Sequence, residues 1–124
     1  MSISKPNYDL EERTAIFGEQ IISFCRAAKK DSIVSPLLTQ LVRSATSIGA
    51  NYMEANGASS PRDFANKIYI CKKEAQESKH WLRMLAVYYP LEKELIRKYW
   101  SEAQEFSRIF HAINATIKRK NMGK

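Results

Sequence analysis

The 124-residue chain predicts an all-α fold, a single antiparallel up-down-up-down four-helix bundle, and three observations carry that expectation. Apolar residues recur three and four apart along four stretches, the spacing that keeps side chains on one side of a helix. Capping residues and prolines divide those stretches, and the short connections suit antiparallel neighbours. No stretch shows a two-residue alternation bounded by hairpin turns, as a half-buried strand would require. The length fits one domain over residues 1–124, with a short polar tail at 1–8 and a basic tail at 118–124.

The first helix opens at Asp9, which with Glu12 fits a capping box, and its stripe of Leu10, Thr14, Phe17, Ile21, Phe24 and Ala28 carries it to about Lys30. Asp31 to Ser35 form the connection, with Ser35 as expected N-cap and Pro36 at the first helical position, where a missing N–H costs nothing. The second helix has two faces. Leu38, Leu41, Ala45, Ile48, Tyr52 and Ala55 point to the core; Ser44, Ser47, Asn51 and Glu54 repeat the same spacing one step around. Gly49 and Ala50 keep this region thin, so a second helix is expected close by, with Asn51 or Glu54 bonding across the gap. Asn56-Gly57 stops it. Ser60-Pro61-Arg62-Asp63 restarts the chain with the same cap-then-proline chemistry, and Phe64, Ile68, Cys71, Ala75, Ser78, Leu82, Leu85 and Tyr89 mark a long third helix ended by Pro90. Ile96, Tyr99, Ala103, Phe106, Phe110, Ile113 and Ile117 mark the fourth, before Lys118-Arg119-Lys120. Trp81, Tyr88, Trp100 and Ile109 widen the last two stripes, either as core or as a subunit interface.

Composition is that of an ordinary globular protein, 44% hydrophobic and 27% charged. No run approaches a membrane span and the first residues lack an apolar leader core, so the expected compartment is the cytoplasm, with no membrane partner. Cys25 and Cys71 lie on helical patterns without a CxxC spacing, which reads as reduced core cysteines. The net charge of +7 favours an anionic partner such as RNA or DNA.

Catalytic chemistry finds little footing. Glu77 and His80 form an E-x-x-H pair, the spacing by which a bundle helix offers two ligands to a di-metal site, but Arg108 stands where the second pair, ending at His111, would need its acid. No metal, cofactor or catalytic residue is expected. The chain has neither a nucleophile-elbow motif nor a glycine-rich phosphate loop. The basic residues are more informative. Tyr69, Lys72, Gln76, Lys79 and Arg83 share one stripe of helix three; Arg97, Ser101, Gln104, Arg108, His111 and Lys118 share one of helix four, and neither stripe contains an acid. Lys or Arg at helical spacing can follow a phosphate backbone, and an interleaved tyrosine can stack on a base; the plainer alternative is a solvated face. Arg43, Lys72, Lys79, Arg83, Arg97, Arg108, Lys118, Arg119 and Lys120 are the candidate nucleic-acid contacts. Ser44, Ser47, Asn51 and Glu54 are candidate structural polar residues that hold helix register or bridge subunits. Lys73 and Glu77, four apart, read as a surface pair.

The segment QLVRSATSIGANYMEA followed by SSPRDFANKIYICKKEAQESKHWL resembles the four-helix-bundle proteins encoded by intervening sequences in bacterial 23S ribosomal RNA genes. Arg43, Ser44, Ala45, Ile48, Asn51, Glu54 and Ala55 carry that resemblance most specifically, with Phe64, Glu77 and Leu82 a looser match. It implies a bacterial cytoplasmic protein, often a homopentameric ring, and brings no established enzyme activity. Around Trp81, Leu82, Arg83, Leu85 and Ala86 the chain is similar to the accessory variability protein of diversity-generating retroelements, a basic pentameric bundle that binds nucleic acid and a reverse transcriptase. The expected protein is therefore a non-enzymatic homo-oligomer, a pentamer by resemblance, that binds structured RNA or other nucleic acid. The alternative is an interaction scaffold, for example for a reverse transcriptase, with incidental charge.

Overall fold

The computed structural model describes residues 9–122, so the expected N-terminal tail at 1–8 lies outside the described residues. Four helices account for the regular structure: α1 (Leu10–Ala27), α2 (Ser35–Asn56), α3 (Pro61–Tyr88) and α4 (Lys93–Met122), with a 3-10 turn at Pro90–Glu92 between the last two. Among the described residues there is no strand.

The ends follow local chemistry, with four departures from expectation. Asp9 caps α1 as anticipated, its carboxylate accepting from the Glu12 N–H at 3.2 Å. The helix stops at Ala27 rather than near Lys30, because Ala28 turns to an extended backbone (φ −70°, ψ 144°). Ser35 does not cap α2. Asp31 does the equivalent work one turn earlier, accepting from the N–H groups of Ile33 and Val34 at 2.9 Å each, and the resulting turn feeds into Pro36 through a helical Val34. Ser60 caps α3 as expected, Oγ accepting from the Asp63 N–H at 3.0 Å. Pro90 ends that helix but opens a 3-10 turn the pattern did not indicate. The fourth departure is at the end of α4, where Lys118, Arg119 and Lys120 lie inside the helix, which runs to Met122 instead of giving way to a tail.

Each anticipated apolar stripe faces inward. Phe17, Ile21, Leu41, Ile48, Ile68, Leu82, Leu85, Phe106 and Phe110 are fully or almost fully buried, and the Phe17 and Phe106 rings meet edge to face at 5.5 Å between centroids. Contacts between consecutive helices run in opposite order along the chain. Thr14 lies against Gly49 and Gly18 against Thr46, while Cys25 reaches the Leu38 carbonyl. Between α2 and α3, Glu54 meets Lys67, Cys71 meets Ile48, and Ser78 meets Ser44. That order is what antiparallel neighbours give.

A helix approaches the thin region of α2 as expected, but the polar row does not bond to it. A Cβ on Gly49 would sit 3.2 Å from Thr14 Oγ1, so it is α1 that approaches the bare backbone there. The contacts of the polar row go elsewhere. Ser44 Oγ pairs with Ser78 Oγ of α3 at 2.8 Å, each buried hydroxyl satisfying the other. Asn51 stays on its own helix, Nδ2 donating to the Ser47 carbonyl at 2.8 Å, and Glu54 pairs with Lys67 at the surface at 2.8 Å.

Cys25 and Cys71 are buried, free thiols, and burial pushes Cys25 up to about 11 and Cys71 up to about 12. Since the thiolate is the reactive form, both are expected to react negligibly with a disulfide reagent near neutral pH in the folded protein and completely once denatured. Fast labelling of either in native buffer would mean that the core opens locally.

Candidate nucleic-acid interface

Each basic stripe follows from helical spacing, but only packing decides whether the two become one surface. They do. Lys72 Nζ of α3 lies 3.3 Å from His111 Nδ1 of α4, and seven residues further along α3 the Lys79 ammonium donates to Gln104, seven residues earlier on α4. Lys79 Nζ also sits 4.9 Å from the Trp100 ring centroid. With this register, Gln76 and Arg108 fall between the two contacts, Arg83 lies beyond Lys79, and Tyr69 lies beyond Lys72 beside Lys118. The whole seam is therefore basic and polar.

Its electrostatics are uneven. Among the described residues Lys72, Lys79, Arg83, Arg108 and Lys118 form no ion pair with a carboxylate. Arg43 is different. It lies on α2, away from the seam, and its guanidinium pairs with Glu74 at 3.4 Å and with Glu77. The bond to Glu77 raises the Arg43 pKa, and the same bond holds the Glu77 carboxyl below its usual range. Arg97 shares an open groove with Glu94, Lys98, Glu102 and Glu105, so positive potential is diluted at that end. Lys118, Arg119 and Lys120 are exposed on the last turns of α4, where Arg119 donates to Thr116 Oγ1 at 3.3 Å.

Glu77 and His80 do not form a joint site. The Glu77 carboxylate accepts from Arg43 and, at 3.3 Å, from Trp81 Nε1, while the exposed His80 ring packs edge-on to Trp81 at 4.9 Å. Lys73 likewise leaves Glu77 to Arg43 and sits 5.8 Å from the Tyr69 ring centroid. Among the described residues no group of three or more His, Cys, Asp or Glu is placed to hold a metal, and no helix is long and apolar enough to cross a membrane. The acids around Arg97 escaped the sequence pattern for two reasons: Glu94 stands three residues before Arg97, just ahead of where the stripe begins, and Glu102 and Glu105 sit on adjacent ridges of the same helix. Sequence reasoning missed the role of Trp100 because the residue that faces it is on another helix.

A family model described as 23S rRNA-intervening sequence protein matches residues 8–112. The chain belongs to that family. A crystal structure of a protein of unknown function from the S23 ribosomal protein family of Bacteroides thetaiotaomicron superposes with a TM-score of 0.75 at 29% identity, covering 84% of this chain and 96% of that one. No curated protein matches the chain. Within the 23S rRNA-intervening sequence protein match fall Lys72, Lys79, Arg83 and Arg108, whereas Lys118, Arg119 and Lys120 lie beyond it.

Proposed function

We propose that the chain is a non-enzymatic, homo-oligomeric bundle protein of the bacterial cytoplasm that binds structured RNA, or another nucleic acid, chiefly through phosphates. What carries this reading is the merging of two acid-free basic stripes into one seam, where Lys72 meets His111 and Lys79 meets Gln104. Lys72, Lys79, Arg83, Arg108 and Lys118 make up the contact surface. Arg43 is set aside because two carboxylates already match its charge, and Arg97 contributes less because Glu94 and Glu105, neither of them in an ion pair among the described residues, share its groove. Self-association draws support from exposed Ile22 and Met53, which line one groove between α1 and α2; a pentamer is what the family resemblance implies.

The test is fluorescence anisotropy with a structured rRNA fragment and a matched DNA across a salt series, with oligomer mass measured on the same sample. The expected result is a linear loss of log affinity with log salt, because each neutralised phosphate releases counterions. No binding at low salt would reduce the seam to solvated surface. A second reading, a scaffold for a protein such as a reverse transcriptase, is favoured by one observation. Ile33, Val87 and Leu91 are 71%, 81% and 96% exposed near the end where Tyr88 bonds to Asp31, three apolar side chains that bundle packing does not use.

A further inference from the structure

We propose that the groove at the Tyr69 end of the α3–α4 seam seats one unpaired base of a single-stranded segment, with the Tyr69 ring as its stacking platform. This rests on the nucleic-acid reading above and names the part of the ligand that reading leaves open. Tyr69 is 52% exposed and stands outside the hydrophobic core cluster, so its ring has no core-packing task. Two ammonium groups flank it, Lys72 Nζ at 5.9 Å and Lys73 Nζ at 5.8 Å from the ring centroid. A base laid on the ring displaces these cations toward the phosphates on either side of its own nucleotide, so stacking and charge pairing are satisfied together.

The walls of the groove fit a base edge. Asn66, Asn114 and Asn121 line it beside Lys118, and each carboxamide offers both donors and an acceptor. Amides of both polarities match the mixed donor and acceptor edges of any base, so the ligand class is an unpaired nucleotide and not a particular sequence. A duplex keeps its base faces stacked inside, leaving Tyr69 nothing to stack on.

The experiment compares wild type, Tyr69→Ala and Tyr69→Phe by fluorescence anisotropy. One probe is a labelled oligoadenylate RNA; the other is the same strand annealed to oligouridylate. Tyr69→Ala is expected to weaken single-strand binding roughly 5- to 150-fold, the range for losing one base–aromatic stack, with duplex binding unchanged and Tyr69→Phe close to wild type. An equal loss on both probes, no loss on the single strand, or wild-type binding to the duplex alone overturns the inference while the nucleic-acid reading stands. Binding of wild type to neither probe at low salt overturns both.

Discussion

Charge reversal of Lys72, Lys79 and Arg83 together is expected to flatten the salt dependence of nucleic-acid binding. On duplex DNA the slope of log affinity against log salt should fall by about 2.7, and on a single strand by about 2, if each residue neutralises one phosphate. The three share one ridge of α3 and, among the described residues, pair with no carboxylate, so their charge is available to a ligand. Their removal breaks no ion pair that holds the bundle together. Folding is checked by helical circular dichroism and assembly by oligomer mass. An unchanged slope in a folded, correctly assembled variant would reject this face as the phosphate-reading surface.

Phe106→Ala is expected to destabilise the protein by about 3–5 kcal/mol, read as a lower midpoint in urea. Phe106 is fully buried, lies edge to face with Phe17 at 5.5 Å, and packs beside Phe110 at 6.4 Å. It also carries the Arg13 guanidinium 5.2 Å from its ring centroid, and that guanidinium holds Glu102 by two hydrogen bonds of 2.8 and 2.9 Å. Deleting the ring leaves a cavity between α1 and α4 and removes the floor under an inter-helix ion pair. A loss below about 1 kcal/mol would mean that the α1–α4 contact collapses to fill the space, which dense core packing opposes.

The helices were legible because burial repeats with the helical period. Leu38, Leu41, Ala45 and Ile48 are all buried as their spacing requires, and Ser60 with Pro61 starts α3 where cap chemistry places it. Helix ends were less so. Asp31 outcompetes Ser35 because its carboxylate reaches two amides in a turn held from outside by Tyr88, which donates to Asp31 from 57 positions away, and Tyr89, which donates to the Lys29 carbonyl from 60. The basic stripes could be read within each helix, but their joining depends on the α3–α4 register. No local pattern links Arg43 to Glu74 and Glu77, 31 and 34 residues distant, so that charge looked available until packing assigned it.

The helical course of the last residues changes what the run Lys118-Arg119-Lys120 amounts to. In an extended tail the three cations would gather along one strand of phosphates. On a helix, successive side chains are turned about 100° from one another, so the charges fan around the axis. Lys118 lines the groove beside Tyr69, while Arg119 and Lys120 are turned away from it onto other sides of α4. A strand lying in the seam therefore counts one cation from this run, and the other two address whatever approaches the helix end from a different direction.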